Sequence, residues 1–457
     1  MKKILYTVFV VFAISSCEDN LELLPEQSLS PEVVISNAAN LENLLVGLYD
    51  EAAHGSAETP SFEENIYGGI LNLSVELWAN SGELLFNGTF EEPAEFNEKA
   101  ILTDNVNARD IWLNAYEVNN QANLILENLE IVEDAETRSR IEGEAKFLRG
   151  LMYFDLARIY GLPYEAGQSN TQPAVPIVLN AVTDASEVES PSRNSVEEVY
   201  SQAISDLTEA YNLLPESNDV FADKYAAQAL LARLYLQQEN YAAARDAADD
   251  VLQNSGHTLA IDFASAFNND EDSSEDIFAW QITAQDGEND MNTFWAGDDF
   301  GGRSGNPDVA ISEEHFDIYD DANDQRSMFF YETTGGTATT KWQGEFSNIP
   351  FLRVAEMHLI RAECNFREST SVGLSPEDEI NALRARSEAG AIVGLTLQDI
   401  LDERKRELSF EGFALHDIKR LKGTVGSLNY DDNFLVAPVP QRETDSNPNL
   451  DQNPGYN

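Results

Sequence analysis

The stretch SRIEGEAKFLRGLMYFDLARIYGLP, residues 139–163, decides the fold of this protein. Its apolar residues recur at steps of three and four, the spacing of one helix face: Ile141, Ala145, Leu148, Met152, Leu156 and Ile159. A second apolar row is formed by Phe147, Leu151 and Phe154. Two rows leave little of the circumference polar, so we expect a helix inside the protein that ends at Gly161 and Pro163.

The same periodicity predicts a mainly α fold. Further helices are expected over residues 31–53, 108–131, 195–214, 222–238, 241–253 and 350–367. Ser195 and Glu198 form a capping box at the start of the third of these, and Pro215 ends it. The helix at 108–131 should pair with the opening helix as an antiparallel hairpin.

The pair of helices at 222–238 and 241–253 has the pattern of a tetratricopeptide repeat. The matching positions are Leu231, Ala232, Tyr235, Tyr241 and Ala244. One such unit cannot bury its own apolar face, so neighbouring pairs must stack on it. The helices within 109–160 and 350–389 are the expected neighbours.

Two segments, residues 54–104 and 254–349, lose the helical period and are rich in Gly, Asn and Asp or Glu. A loop region as long as 254–349 is usually functional or disordered, and its aromatic residues argue against disorder. We therefore expect one domain over 31–457, with a helical scaffold at 31–253 and 350–430 and a loop-rich, ligand-binding region at 254–349 and 54–104.

The chain of 457 residues has a formal net charge of −53. Such a surface repels nucleic acid and anionic membranes, so neither is an expected partner. Adaptation to a salty habitat explains the charge better than a specific cationic ligand, because net charge bears on solubility before recognition.

The amino terminus has the pattern of an export signal. Two lysines precede an apolar run from Ile4 to Ile14, which is too short to span a bilayer. The residues Ile14-Ser15-Ser16-Cys17 resemble a bacterial lipobox, with cleavage before Cys17 and acylation of that residue. We expect a signal peptide over 1–16 and a polar tether over 17–30, with the acidic pair after Cys17 directing export to the cell surface.

Four segments in order carry a resemblance to one family. They are W-x-x-A-Y-x-x-x-x-x-A-N-x-I-L from Trp112 with the opening helix, LRVAEMHLIRAE at 352–363, ILDERKRELSFEGFALHDIKR at 400–420, and PVPQRETDSNPNLDQNPGY at 438–456. Together they resemble the SusD/RagB family of nutrient-binding outer-membrane lipoproteins. The resemblance implies stacked tetratricopeptide-like helix pairs that carry a large irregular region.

The resemblance also implies a function. Family members capture a nutrient at the cell surface, lie over a SusC-like TonB-dependent transporter, and most often bind an oligosaccharide or polysaccharide. Peptide capture, as in the RagB branch, is the alternative. A tetratricopeptide adaptor for a protein partner is a further one, and it should carry its aromatic residues in the concave helical groove rather than in loops.

No catalytic motif such as GxSxG, HExxH or a P-loop occurs, so an enzyme is not expected. No cofactor is expected either. Asp317, Asp320, Asp321 and Asp324 could hold a structural calcium, but a solvated acidic turn is the better interpretation, and in the resemblance Asp324 and Arg326 match a structural D-x-R element. The two cysteines, Cys17 and Cys364, are not expected to form a disulfide.

Aromatic residues in loops are the best guide to a sugar site, because a sugar ring stacks its apolar face on a rigid aromatic platform. Trp78 and Trp295 lie in segments predicted as loops, and Trp342 is a weaker member of the set. Trp112 and Trp280 are expected in the core. The predicted ligand-binding residues are Trp78, Trp295, Phe294, Asn80, Asp298, Arg303 and Trp342.

Overall fold

The computed structural model describes residues 35–55, 65–284, 289–303 and 307–456, and it confirms a mainly α fold. The helices are α1 Ala38–His54, α2 Leu71–Ala79, α3 Glu91–Glu98, α4 Val106–Glu127, α5 Ala135–Tyr160, α6 Val196–Leu213, α7 Lys224–Gln237, α8 Tyr241–Asn254, α9 Asp290–Trp295, α10 Val354–Glu368, α11 Pro376–Arg386, α12 Leu397–Leu408, α13 Ala414–Arg420 and α14 Gln441–Ser446. The strands are β1 Leu84–Phe86, β2 Asp276–Trp280, β3 Val309–Ile311, β4 Phe330–Thr333, β5 Gly336–Thr339, β6 Ile349–Arg353, β7 Thr424–Val425 and β8 Leu428–Asn429.

Helix α5 is buried along most of its length, as its two apolar rows predict. It packs between α4 and α6. Gly150 permits the close approach of α6, because a Cβ there would lie 2.9 Å from Leu207. Beside it, Arg149 donates to the buried carboxylate of Asp206 at 2.6 and 2.9 Å. The opening stretch therefore forms the central helix of the scaffold.

The tetratricopeptide-like pair consists of α7 and α8, and α10 packs on both. Both parts of the Ser195–Glu198 capping box are present at the start of α6. Between α7 and α10, Arg233 donates to both oxygens of Glu356 at 2.9 and 2.7 Å. The predicted stacking of helix pairs is confirmed.

The predicted helix over 350–367 is wrong at its start. Residues 349–353 form strand β6, which pairs antiparallel with β2, and the helix begins at Val354. Pro350 within this run is incompatible with a helix interior but fits a two-stranded edge. Trp280 of β2 is buried and stacks on Tyr67 with ring centroids 4.7 Å apart, so its predicted place in the core is confirmed.

The loop-rich region contains a four-stranded antiparallel sheet that the sequence analysis did not predict. The strand order is β1-β3-β5-β4, and β1 comes from the 54–104 segment. Leu84 pairs with Ile311 and Phe86 with Val309. The two irregular segments of the sequence thus meet in one sheet.

A buried network of ion pairs joins this region to the helical scaffold. The buried side chain of Arg326 contacts Asp324 at 2.8 Å, Glu403 at 2.8 Å and Glu407 at 3.3 Å. The remaining members are Glu275, Lys341, Arg353, Arg384, Arg386, Arg406 and Glu411. Within helix α12, Arg406 pairs with Glu403 three residues away. Glu407 contacts arginines from other elements, Arg326, Arg353 and Arg386.

None of the helices in the described part of the chain is both long enough and apolar enough to cross a bilayer.

Candidate functional site

The tryptophan platform predicted from the sequence lies in the core. Trp78 is in the last turn of α2 rather than in a loop and is 0% exposed. Its indole Nε1 donates to the carbonyl of Phe434 at 2.8 Å, and its ring packs edge-on against Phe96. A side chain held in this way presents no face to a ligand.

The other three predicted aromatic residues are also buried. Trp295 and Phe294 lie on the short helix α9 and are 0% and 5% exposed. Trp295 packs on Phe410 with ring centroids 5.4 Å apart. Trp342 donates from Nε1 to the carbonyl of the same Phe410 at 3.2 Å. Placing these side chains in solvent-facing loops was wrong, because helix α9 and the turn at Phe410 enclose them.

Asn80 organises a turn rather than a binding surface. Its Oδ1 accepts the backbone N–H groups of Gly82 and Leu84 at 2.9 and 3.0 Å, and its Nδ2 donates to the carbonyl of Leu84 at 2.9 Å and to Asn97 Oδ1 at 2.8 Å. All the groups of the amide are occupied, so Asn80 sets the path of the chain into strand β1.

Two of the predicted residues, Asp298 and Arg303, do lie on an exposed loop beside aromatic rings. We define the loop aromatic surface as residues 87–90, 297–303 and 331–337. Its exposed rings are Phe90 and Phe300, with 40% and 42% of their areas in solvent, and Tyr331 is half-buried beside them.

The geometry of this surface is set by short contacts. Phe300 meets Tyr331 edge to face, with centroids 5.0 Å apart. The hydroxyl of Tyr331 accepts the backbone N–H of Gly297 at 2.9 Å, which ties the loop to strand β4. Burial raises the pKa of Tyr331, and the nearby charge of Asp299 raises it further, so this hydroxyl stays protonated at neutral pH.

Phe90 and Arg303 form the second part of the surface. The guanidinium carbon of Arg303 lies 4.1 Å from the centroid of Phe90, and Nη1 of Arg303 donates to Asp308 at 2.8 Å. Burial raises the pKa of the Asp308 carboxyl, and Arg303 opposes that shift. The arginine is therefore held in place by a ring on one side and a carboxylate on another.

The sheet explains why these residues converge. The end of β1 lies beside the start of β3, because Phe86 pairs with Val309, and a hydrogen bond from Asn87 reaches the turn between β4 and β5. Asn87 lies there, with its backbone N–H bonded to the carbonyl of Asp308 at 2.7 Å and its side chain donating to Gly335 at 3.3 Å. Three loops distant in sequence thus share one surface. The sequence signal for Phe90 and Phe300 was an aromatic residue inside a Gly, Asp and Asn run.

A second feature is a groove of about 750 Å³ between the end of α2, helix α12 and helix α13. Its walls combine aliphatic side chains such as Leu397, Leu401 and Leu421 with charged ones such as Asp402 and Lys405. The buried Phe410 and Phe413 also line it. Phe410 and Phe413 are only 4% and 8% exposed, so the groove offers less ring surface for stacking a sugar than the loop aromatic surface does.

Three carboxylates of the acidic run at 317–324 make contacts with other groups of the protein. Asp324 binds Arg326, Asp320 lies 3.0 Å from Arg384, and Asp321 accepts the backbone N–H of Gly390 at 2.8 Å. In the described ranges no group of three or more His, Cys, Asp or Glu side chains is placed to hold a metal ion. Cys364 is buried with a free thiol, and Cys17 lies outside the described residues.

Comparison with known proteins agrees with this architecture. Residues 192–437 match the model of the SusD family, and residues 19–236 match a second model described as "Starch-binding associating with outer membrane". The chain belongs to the SusD family, a family of carbohydrate-binding proteins.

Individual relatives are similar over the whole chain. SusD-like protein P2 of Formosa agariphila is 26% identical, with both chains covered completely. A SusD superfamily protein from Bacteroides thetaiotaomicron has a TM-score of 0.79 at 24% identity, covering 92% of this chain and 100% of the other. A laminarin-binding SusD-like protein has a TM-score of 0.74 at 19% identity, covering 92% and 100%. At such identities the structural likeness shows the fold alone.

Proposed function

We propose that this protein captures an oligosaccharide or polysaccharide at the cell surface and delivers it to a partner TonB-dependent transporter of the outer membrane. The observation that carries the proposal is the loop aromatic surface, which exposes Phe90 and Phe300 outside the helical scaffold. Membership of a carbohydrate-binding family supports the same function.

The surface has the two components that sugar binding needs. An exposed ring removes the apolar C–H face of a sugar from water, and polar groups beside it hydrogen-bond the hydroxyl rim. Phe300 and Phe90 supply the rings. Asp298 and Asp299 offer acceptors, and Arg303 offers the N–H donors that Asp308 does not use. The laminarin bound by one structural neighbour and the starch in the family description are the first ligands to test.

Anchoring and delivery rest on the amino terminus and on the family. We propose that acylation of Cys17 holds the protein at the outer membrane, as the lipobox-like residues before it indicate. The match to a family described as associating with the outer membrane supports this location. Delivery without hydrolysis is the simplest function for a chain in which no catalytic motif was found.

The experiment is a binding titration of laminarin and of soluble starch by calorimetry. Truncating an aromatic anchor typically costs about 2 kcal/mol, so Phe300→Ala should weaken binding of the active glycan about thirtyfold. Phe434→Ala should leave the affinity unchanged. Phe434 is a matched control, because it is also 42% exposed but lies outside the loop aromatic surface. Equal affinities for the wild type and Phe300→Ala would refute the assignment of the site.

Peptide capture is the second candidate function, and the groove beside α12 favours it, because its walls offer both aliphatic and charged side chains to a peptide. Its test is binding of a tryptic digest of casein to the wild type and to Leu401→Asp. Peptide binding that is lost in this variant, with glycan binding absent from the wild type, would select this function.

The adaptor alternative is disfavoured by the position of the exposed rings. The strongly exposed phenylalanines of the described residues are Phe90, Phe300, Phe346 and Phe434, and none lies on the helix pairs α5 to α8. An adaptor of this class would present such residues in its concave helical face.

A further inference from the structure

The charges around the loop aromatic surface bear on the class of glycan that it accepts. Across its three segments the acidic residues are Asp298, Asp299 and Glu332, and Arg303 is the one cation. All of these residues are described. The surface therefore carries a net negative charge beside the exposed rings.

Arg303 does not offset this charge for a ligand. Its guanidinium contacts the carboxylate of Asp308 at 2.8 Å and packs over the ring of Phe90 at 4.1 Å, so its charge is already paired. By contrast, Asp298 and Asp299 are exposed, and no described cation forms an ion pair with either. Glu345 adds a further carboxylate next to the loop, because its side chain lies beside Gly301.

The other Lys and Arg side chains of the loop-rich region are occupied as well. Arg326 and Lys341 are buried in ion pairs with Asp324 and Glu411. The ammonium group of Lys99 donates to three backbone carbonyls. An anionic polysaccharide needs basic groups for its carboxylates or sulfates, of the kind that bind phosphates elsewhere. At this surface a uronate or sulfate group would instead face Asp298 and Asp299.

We propose, on the basis of the proposed glycan-binding function, that the loop aromatic surface selects neutral polysaccharides and rejects anionic ones, with Asp298 and Asp299 as specificity determinants. Rejection acts by repulsion of a ligand carboxylate or sulfate, while neutral sugar rings keep both their stacking contacts and the carboxylate acceptors for their hydroxyl groups. Coulomb's law in water predicts about threefold weaker binding per like-charge pair at about 7 Å, and thus about tenfold for two pairs at low salt.

The test compares matched ligands with the same backbone. Binding of laminarin and of carboxymethylated laminarin, and of soluble starch and carboxymethyl starch, is measured at low ionic strength and at 0.5 M salt. The wild type should bind the neutral member of the active pair about tenfold more tightly at low salt. The difference should shrink at high salt, because the Debye length falls towards about 3 Å near 1 M.

The double variant Asp298→Asn/Asp299→Asn should reduce the preference, taken as the ratio of the two affinities measured on that same variant, to about twofold. Glu133→Gln/Glu136→Gln, which removes two exposed charges at the start of helix α5, should leave the preference unchanged. Equal or tighter binding of the carboxymethylated ligand, or a preference that survives in the aspartate variant, would overturn the inference.

The two proposals fail in different ways. Alginate, an anionic polysaccharide, is a further probe. If alginate binds, Phe300→Ala loses that binding and no neutral glycan binds, then glycan capture at this surface stands and the proposed selectivity is refuted. Absence of binding to every neutral and anionic probe would refute the proposed function, and the selectivity would fall with it.

Discussion

Replacing Arg326 with methionine tests whether the buried ion network holds the loop-rich region on the scaffold. The guanidinium contacts Asp324, Glu403 and Glu407, and all four side chains are 0% exposed. After the change, Glu403 keeps Arg384 and Arg406, and Glu407 keeps Arg353 and Arg386. Asp324 alone loses its cation.

The expected cost is that of one uncompensated buried carboxylate rather than of three. Removing one partner of a buried pair typically costs about 3–5 kcal/mol, and we expect Arg326→Met to lower the free energy of unfolding by this amount at pH 7. The control is Lys422→Met, because Lys422 pairs with Glu165 at the surface and is 46% exposed. Exposed pairs contribute about 0–1 kcal/mol.

The pH dependence separates charge from packing. Burial alone would raise the pKa of Glu407, but Arg386, Arg353 and Arg326 hold it well below its usual range. A carboxyl with a depressed pKa stabilises the fold above its unfolded pKa and loses that contribution as the pH falls. Because Arg326 is one of the cations that depress the pKa of Glu407, the difference in free energy of unfolding between the wild type and Arg326→Met should narrow as the pH falls.

The assay is urea unfolding, followed by circular dichroism at pH 7 and pH 4, of the wild type, Arg326→Met, Lys422→Met and the double variant Asp324→Asn/Arg326→Met. The double variant should recover part of the loss, since no unpaired carboxylate remains at position 324. A cost of Arg326→Met below about 1 kcal/mol, or one that is the same at both pH values, would show that the charges of the network do not hold the region in place.

Three further outcomes are expected. Trp295→Ala should lower the free energy of unfolding by about 3–5 kcal/mol, since this side chain is 0% exposed. A variant with the stability of the wild type but weaker glycan binding would show instead that Trp295 contacts the ligand. Cys17→Ala should abolish labelling by fatty acid in cells, and continued labelling would refute acylation there. Burial raises the pKa of Glu76 to about 7, so folding takes up a proton there and stability falls as the pH rises from about 4.5 to about 7. Across that range the free energy of unfolding of Glu76→Gln should rise by up to about 3 kcal/mol relative to that of the wild type. Chemical unfolding measured over this pH range would contradict the prediction if the two free energies changed in parallel.

The sequence alone determined the helical scaffold, because helix periodicity and capping act locally. The rows of apolar residues in α5 and the capping box of Ser195 with Glu198 each depend on residues within a few turns of one another, and the structure has both. The core positions of Trp112 and Trp280 followed from the same local patterns.

Only the tertiary structure decided which aromatic residues meet solvent. Trp78 and Trp295 lie in segments without helical period, yet both are enclosed, because the largest apolar side chains gain the most from burial. Phe90 and Phe300 are exposed on loops that meet through the contacts of Phe90 with Arg303 and of Phe300 with Tyr331. The four-stranded sheet depends on pairing between residues more than two hundred positions apart, such as Leu84 with Ile311, and no local pattern in the sequence encodes such a register.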